Sequence, residues 1–181
     1  MKKLISIIIP VYNEENTIHK LYSLLLTNFD SLKKKYEYEI IFVDDGSSDK
    51  SNSLIQTLTT KDRRVKLIEF SRNFGKEMAT SAGLQYAKGN GVLLIDADLQ
   101  HPVELIPQFI EKWEKGAEMV IGVRQKNRGE GIIKKFGSYV FYNIMNAIGE
   151  VKTVPSATDY RLVDRIVIEE FKKITEKQRI T

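Results

Sequence analysis

Short apolar runs alternate along this chain with longer stretches whose apolar residues recur at helical spacing. The runs cover residues 4–11, 39–43, 65–70, 92–95 and 119–123. The first, second and fourth are rich in Ile and Val and apolar on both faces, which is typical of strands buried in a parallel sheet. The stretches between them predict helices over residues 14–28, 49–60, 76–88 and 102–115. This order predicts a mostly parallel α/β sheet with right-handed crossovers.

Glycine and proline mark several of the predicted helix ends. Gly89 is placed as the C-cap of the third helix and Gly116 as the C-cap of the fourth, which begins with Pro102 in its first turn. Beyond residue 124 the alternation breaks into a polar loop over 125–131, a helix over 132–148, an irregular stretch over 151–158 and a last helix over 164–177. We therefore predict one α/β domain over residues 1–163 and an amphipathic tail over 164–181.

Composition narrows the classes of protein. The chain has 181 residues, 42% hydrophobic and 29% charged, which suits a globular domain. A net charge of +4 is compatible with phosphates or lipid headgroups, and no nucleic-acid-binding signature is present. The chain has no cysteine, which excludes disulfides and zinc–thiolate sites. Two lysines precede the first apolar run, but Ser6 and Pro10 interrupt it, so it predicts a strand rather than a signal peptide. No apolar run reaches the ~18 residues of a membrane span.

Three polar clusters follow predicted strands. They cover residues 10–15, 43–49 and 96–102. Ligands bind open α/β sheets at the carboxyl ends of the strands, so the three clusters are expected to surround one ligand. A base, a ribose and a diphosphate together would fit such a site.

Asp96 and Asp98 are the sharpest chemical signal. Residues i and i+2 of an extended segment point the same way, so the two carboxylates are expected to converge on Mg²⁺ or Mn²⁺. A cation held in this way neutralises charge on a diphosphate leaving group. The alternative is that they cap the helix that begins at Pro102.

The other two clusters have a functional and a structural interpretation each. Asp44 or Asp45 accepts hydrogen bonds from a base or a ribose hydroxyl, or else Asp45 and Ser48 cap the next helix. Tyr12 stacks on a base, or is a half-buried aromatic residue at a strand end. Glu14 binds the nucleotide, or is an acid in the first turn of a helix, where the helix dipole favours it.

Other nucleotide-binding and catalytic patterns are absent. No G-x-G-x-x-G follows the first strand and no G-x-x-x-x-G-K-[ST] occurs, which excludes the usual dinucleotide folds and P-loop enzymes. A nucleotidyltransferase would carry a glycine-rich basic loop after the first strand, and PVYNEE is not such a loop. His19 and His101 are the only histidines, and no Ser-His-Asp constellation is evident.

The clusters, in this order and spacing, resemble the family-2 nucleotide-sugar glycosyltransferases with the GT-A fold, and most closely the polyprenyl-phosphate sugar transferases. The motifs are PVYNEE, FVDDGSSD, SRNFGKEMATSAGLQYA, DADLQHP, GVRQKNRGEGIIKKFGSYVFYNIMN and ATDYRL, spanning roughly residues 4 to 165. The resemblance implies an inverting hexosyltransferase that uses Mg²⁺ or Mn²⁺ and a nucleotide-sugar donor. It also implies a polyprenyl-phosphate acceptor and work at the cytoplasmic face of a membrane on cell-envelope glycans.

Matching positions carry the family's residue roles onto this chain. The nucleotide-sugar set is Pro10, Tyr12, Glu14, Asp44, Asp45, Asp96, Ala97, Gln100 and Arg124, with Asp96 and Asp98 holding the metal. The acceptor-phosphate set is Arg128, Lys134 and Lys135, which are otherwise part of a solvated charged loop. Asp159 of ATDYRL is the candidate base, and Asp98 the second catalytic residue. Tyr160 stands where the family often has Phe.

The acceptor decides what Asp159 has to do. A lipid phosphate has a second pKa near ~6 and is already a nucleophile at neutral pH, so Asp159 would orient basic residues. A saccharide hydroxyl needs a base, and Asp159 would then be essential. UDP-glucose is the first expectation for the donor, with GDP-mannose and UDP-N-acetylhexosamines open. A non-catalytic nucleotide-sugar binding module is a further alternative.

The resemblance also predicts that the intact protein has further segments after this sequence. Relatives of this kind continue into an amphipathic helix and membrane segments, so we expect the intact protein to extend beyond Thr181. Residues 164–177 would then lie at the membrane interface. The alternative is an ordinary surface helix packed on the domain.

Overall fold

The computed structural model describes residues 2–123 and 157–173. Its strands are β1 (Lys3–Val11), β2 (Tyr36–Asp44), β3 (Val65–Glu69), β4 (Gly91–Leu94), β5 (Met119–Val123) and β6 (Ala157–Asp164). Its helices are α1 (Ile18–Leu32), α2 (Ser51–Lys61), α3 (Lys76–Tyr86), α4 (Ile106–Glu114) and α5 (Arg165–Lys173), with a 3₁₀ turn at Val103–Leu105. The five predicted strands and the predicted helices that fall on described residues are confirmed.

The strands form one sheet in the order β3-β2-β1-β4-β6-β5. β1 runs parallel to β2 and β4, and β2 runs parallel to β3. β6 is antiparallel to β4, with Leu94 opposite Arg161. The end of the stretch predicted to be irregular, residues 157 and 158, belongs to β6. The alternation of polar Asp159 and Arg161 with buried Tyr160 and Leu162 is the period-two signal that marks it.

Alternate residues of the central strand enter two different cores. Ile5, Ile7 and Ile9 of β1 pack on one side of the sheet with residues of α1, α2 and α4. Ile8 packs on the other side with residues of α3 and α5. Burying each such side chain stabilises the fold by roughly 2 kcal/mol. The sheet is thereby covered on both faces, as parallel strands require.

Three predicted helix boundaries were wrong. α4 begins at Ile106 rather than at Pro102, because Pro102 precedes the 3₁₀ turn Val103–Leu105. α1 begins at Ile18 rather than residue 14, because residues 14–17 form a turn in which the amides of Thr17 and Ile18 donate to the Glu14 carbonyl. α3 ends at Tyr86, so Gly89 is not its C-cap. Gly89 instead donates its amide to Ser6 Oγ (2.8 Å), and a Cβ there would lie 2.5 Å from Ser6 N. Gly116, at φ +98°, ends α4 as predicted.

The last helix is anchored on the domain over Arg165–Lys173. The Arg165 guanidinium donates to the carbonyls of Ala87 and Gly89, and Ile168 is buried in the core beside α3. This packing favours the surface-helix interpretation for Arg165–Lys173. Within the described part of the chain, no helix is long and apolar enough to cross a membrane.

Some predictions fall outside the described residues. They are the loop over 125–131, the helix over 132–148, the irregular stretch up to residue 156, the tail over 174–181, and the basic residues Arg124, Arg128, Lys134 and Lys135. The fold divides into two compact units, Met1–Val120 with Asp159–Thr181, and Ile121–Thr158. In the second unit Thr158 Oγ1 donates to the carbonyl of Gly122 (2.8 Å). Every contact of the candidate site lies within the first unit.

Candidate active site

The strand directions bring the predicted polar clusters to one edge of the sheet, the edge formed by the carboxyl ends of its parallel strands. β1, β2 and β4 are parallel, so their carboxyl ends, followed by Tyr12, Asp45 and Asp96, share that edge. β6 is antiparallel, so it contributes its amino end there instead. Continuing the Leu94–Arg161 register by two residues sets Asp96 level with Asp159. The unpredicted strand is therefore what brings the Asp159 carboxylate to the cleft.

The loops after β1 and β2 are joined by backbone-to-side-chain hydrogen bonds. The Asn13 amide donates to Ser47 Oγ (3.0 Å), and Asn13 Oδ1 accepts from the Ser48 amide (2.8 Å). The Glu14 amide donates to Ser51 Oγ (2.8 Å). These bonds give Asn13 and the serines a scaffolding role that the sequence did not assign. They also hold Glu14 ahead of α1, so the first-turn interpretation of Glu14 was wrong.

The adjacent carboxylates Asp44 and Asp45 are both buried but support different segments. Asp44 accepts from the Ser47 amide (3.1 Å) and the Asn52 side chain (2.9 Å) at the start of α2. Asp45 accepts from the backbone amides of Phe74 (2.7 Å) and Gly75 (2.9 Å). Asp45 therefore anchors the loop before α3. The interpretation of Asp45 as a cap of α2 was wrong.

Two adjoining clefts open at this edge. The wide cleft, about 710 Å³, and the narrow cleft, about 350 Å³, share Pro10, Lys76 and Asp96. The wide cleft is lined by Pro10, Val11, Tyr12, Glu14, Asp45, Asn73, Gly75, Lys76, Asp96, Ala97 and Asp98. The narrow cleft adds Glu77, Thr80, Leu94, Ile95, Asp159 and Arg161. Tyr12 is 48% exposed at the wide cleft, an accessible ring on which a planar base can stack.

Asp96 and Asp98 both line the wide cleft, and their convergence on one cation stays a prediction. Asp98 Oδ1 accepts from the Gln100 amide (2.9 Å) in a turn where Leu99 has φ +63°. Asp96 Oδ2 lies 3.2 Å from His101 Nε2. Neither carboxylate caps a helix, because the 3₁₀ turn and α4 have no side-chain cap bond. The capping alternative was therefore wrong.

The donor set fits a hard divalent cation. Carboxylate oxygens are the ligands that Mg²⁺ and Mn²⁺ prefer. Among residues 2–123 and 157–173, no group of three His, Cys, Asp or Glu side chains comes together to hold a metal. The remaining ligands of a cation at Asp96 and Asp98 would be water and substrate phosphate oxygens, which is the usual arrangement for Mg²⁺.

Lys76 joins the two sides of the site. Its Nζ lies 2.7 Å from Asp96 Oδ1 and 2.7 Å from Asp159 Oδ2, and Arg161 Nη2 lies 3.0 Å from Asp159 Oδ1. Burial raises the pKa of Asp159, but the bond to Lys76 and the nearby charges of Lys76 and Arg161 outweigh it and lower the pKa overall. Burial likewise lowers the pKa of Lys76, and its bonds to Asp159 and Asp96 raise it overall.

Sequence reasoning missed Lys76 and Arg161. Lys76 begins α3, where a positive charge opposes the helix dipole, so a lysine at this position calls for a nearby anion. Arg161 follows Asp159 at i+2 in β6 and therefore shares its face. Tyr160 between them is buried, and its hydroxyl donates to the Pro102 carbonyl (3.2 Å). A tyrosine is therefore accommodated where the family often has Phe, because its hydroxyl is hydrogen-bonded and its side chain lines neither cleft.

The comparison with protein families identifies the family to which the chain belongs. The chain matches the family described as Glycosyl transferase family 2 over residues 6–171. This chain belongs to glycosyl transferase family 2. The recognition made from the motifs is confirmed, and so is the α/β fold class, which is GT-A with a mixed sheet in which β6 runs antiparallel to β4.

Curated relatives of the family-2 chain have glycosyltransferase names. It is 45% identical over 172 residues to an uncharacterized glycosyltransferase, YkcC, of Bacillus subtilis (strain 168), covering 95% of this chain and 53% of that one. It is 42% identical over 173 residues to a prophage bactoprenol glucosyl transferase homolog of Escherichia coli (strain K12), covering 96% of this chain and 56% of that one. The chain spans about half the length of these relatives.

Solved structures share the fold of this family-2 chain. Glucosyl-3-phosphoglycerate synthase from Mycobacterium tuberculosis in complex with UDP superposes with a TM-score of 0.62 at 21% identity, covering 91% of this chain and 58% of that one. S. aureus TarS 1-349 superposes with a TM-score of 0.61 at 21% identity, covering 95% of this chain and 49% of that one. Identities this low support the fold alone.

Proposed function

We propose that this protein transfers a hexose from a nucleotide sugar to polyprenyl phosphate, with inversion at the anomeric carbon. The observation that carries the proposal is the wide cleft, where Tyr12, Asp45, Asp96 and Asp98 come together at the carboxyl edge of the sheet. An accessible aromatic ring and two carboxylates that fit a divalent cation are what a nucleoside diphosphate needs. UDP-glucose is the proposed donor, because relatives at 42% identity are named bactoprenol glucosyl transferases.

Several residues of the two clefts have a proposed role in transfer. Tyr12 stacks on the base, and Asp45 keeps the loop before α3 against the cleft. Asp96 and Asp98 would hold Mg²⁺ or Mn²⁺, which stabilises the departing nucleoside diphosphate when bound. Asp159 and Arg161 face the acceptor from the narrow cleft. Residues Arg124, Arg128, Lys134 and Lys135 are proposed to contact phosphates.

The ion pairs of Asp159 favour a phosphate acceptor. Both of its carboxylate oxygens face cations, which keeps the carboxylate ionised and makes it a weak base at neutral pH. A lipid phosphate is already ionised and needs no base, whereas a sugar hydroxyl does. The second candidate function is transfer to a saccharide hydroxyl. It needs a stronger base than Asp159 is in these surroundings. For a lipid acceptor the protein works at the membrane surface, and we propose the cytoplasmic face.

Transfer from labelled nucleotide sugars to a short polyprenyl phosphate tests the function. We expect Mn²⁺-dependent formation of a polyprenyl-phosphate sugar, best from UDP-glucose. Replacing Asp98 with Asn should abolish it, while Asp30→Asn on the exposed face of α1 should not. Mn²⁺-dependent binding of UDP without transfer to any acceptor would contradict catalysis and favour a binding module. Transfer to a saccharide but not to the lipid would contradict the proposed acceptor.

A further inference from the structure

A chain of four polar contacts runs through the middle of the site. His101 lies against one oxygen of Asp96, and Lys76 against the other. Lys76 then reaches Asp159, whose second oxygen meets Arg161. All four oxygens of the two carboxylates thus have a partner within 3.2 Å. The lysine is the only member of this chain of contacts that touches both carboxylates.

The position of Lys76 is not explained by the stability of α3. A lysine in the first turn faces the positive end of the helix dipole. Its side chain is 45% exposed and lines both clefts, so it is neither buried in the core nor directed into solvent. The first turn of α3 supplies one acid of its own, Glu77, and the anions that Lys76 contacts are the carboxylates of Asp96 and Asp159, one on each side of the site.

We propose that Lys76 is a positioning residue that opposes a divalent cation at Asp96 until a nucleoside diphosphate is present. This inference rests on the proposed function, because it takes Asp96 as a metal ligand. An ammonium 2.7 Å from Asp96 Oδ1 repels a cation approaching the same carboxylate. A diphosphate in the wide cleft offers the ammonium another anion. Lys76 thereby couples binding of the cation to binding of the nucleotide.

Neutralising Lys76 is expected to strengthen cation binding at the site rather than weaken it. Removing the charge in Lys76→Met should make Mn²⁺ bind more tightly to the nucleotide-free protein, roughly tenfold. It should also shrink the improvement in Mn²⁺ affinity that UDP or GDP produces, because the repulsion that the diphosphate relieves is no longer present. Since coupling between two ligands is reciprocal, Mn²⁺ should improve the affinity for UDP or GDP less by the same factor. Transfer should nevertheless become slower, with kcat falling more than the donor KM rises.

Titrations with MnCl₂, followed by the Mn²⁺ electron paramagnetic resonance signal with and without UDP or GDP, test the proposal. Lys76→Arg keeps the charge and should bind Mn²⁺ as the wild type does. Lys61→Met removes an exposed lysine of α2 and is the matched control for net charge. If Lys76→Met does not fold, as judged by thermal unfolding, Lys76→Gln provides the same neutralisation.

The outcomes separate this inference from the function on which it rests. A Lys76→Met protein whose nucleotide-free Mn²⁺ affinity is unchanged or weaker overturns the inference, since a purely structural lysine would give that result. Tighter Mn²⁺ binding with reduced coupling and slower transfer supports it. A wild-type protein that binds no Mn²⁺ with either nucleotide contradicts the metal site itself, and the inference with it.

Discussion

The aspartates of this protein differ in role because different groups face their carboxylates. Asp45 accepts two backbone amides and holds a loop. Asp159 faces two cations at the cleft. Asp62, away from the cleft, accepts a forked bond from Arg64 and another from the Tyr22 hydroxyl (2.9 Å). Identical side chains therefore serve folding, positioning or binding according to their surroundings.

Asp62 should stabilise the fold in a pH-dependent way. The hydrogen bonds from Arg64 are the largest cause of its pKa falling from 3.8 to about 2, while partial burial opposes them. That difference corresponds to about 2 kcal/mol of stability. A lowered folded-state pKa gives stability that is fully present above the unfolded value and is lost as pH falls through the folded value.

Urea unfolding of Asp62→Asn tests this effect. We expect the variant to lose about 2 kcal/mol near neutral pH, and its deficit to shrink between about pH 4 and pH 2. Asp30→Asn, which removes an exposed pair with Lys33, should cost less than about 1 kcal/mol at any pH. A deficit that does not depend on pH would show that the Asp62 charge is not the cause.

Asp159→Asn reports on the acceptor. With polyprenyl phosphate we expect kcat/KM to fall by less than about tenfold, because no proton has to be removed from an ionised phosphate. Loss of a required base would instead cost about 10²–10⁴-fold. Steady-state transfer kinetics distinguish the two, with Asp30→Asn as the control. A loss in the larger range would contradict the positioning role.

At the scale of elements, the cleft depends on loops that hold one another. Residues 72–75 are attached to the end of β2 through Asp45, and Gly46 follows with φ +70°. A Cβ on Gly46 would lie 2.4 Å from the carbonyl carbon of Arg72. Gly46 is thus required both for its backbone conformation and for the close approach of the two loops.

Gly46→Ala should separate the loop before α3 from β2. We expect a loss of about 2 kcal/mol in the free energy of unfolding and weaker binding of UDP or GDP, measured by urea unfolding and calorimetry. Gly116→Ala is the matched control, because Gly116 has φ +98° and nothing within 4 Å of its would-be Cβ. It should cost about 1 kcal/mol and leave nucleotide affinity unchanged. Equal effects on binding would contradict the close-approach argument.

At the scale of the whole molecule, the carboxyl and amino ends of the parallel strands have different roles. Toward the amino ends, buried Glu39 of β2 accepts from Ser6 Oγ (2.5 Å), the Lys88 amide (2.8 Å) and Lys66 Nζ. Burial raises the pKa of Glu39, but these hydrogen bonds lower it overall. One carboxylate thus joins β1, β2, β3 and the segment before β4. Ser6 lies four residues before Pro10, about 13 Å along the strand from the cleft.

Glu39→Ala should therefore weaken the fold without changing the site. The Ser6 hydroxyl and the Lys88 amide would lose their buried acceptor, which costs about 2–4 kcal/mol. Nucleotide affinity of the folded protein should stay at the wild-type value. Glu37→Ala, two residues earlier and exposed, should have little effect on either quantity. Weaker nucleotide binding by folded Glu39→Ala would contradict the separation of the two ends.

The sequence by itself determined the order of the first five strands and of the helices between them, the edge of the sheet at which the polar clusters lie, and the class of protein. Periodicity reports which face of an element is buried, so the runs of β1, β2 and β4 were readable. The motifs placed Tyr12, Asp45, Asp96 and Asp98 at one cleft, and the structure brings them together there. These are properties of short segments, and a linear pattern records them.

Tertiary structure alone decided the partners of those residues. Lys76 meets Asp159 across 83 positions, and Asp45 meets Phe74 across 29, because strand order and the antiparallel register of β6 bring them together. The roles of Asn13 as a loop tie and of Gly89 as a close-contact residue depend in the same way on neighbours distant in sequence. The hydrophobic pattern of a segment indicates which of its residues are buried. The partner of a charged residue depends instead on which residue, distant in sequence, the fold brings into contact with it.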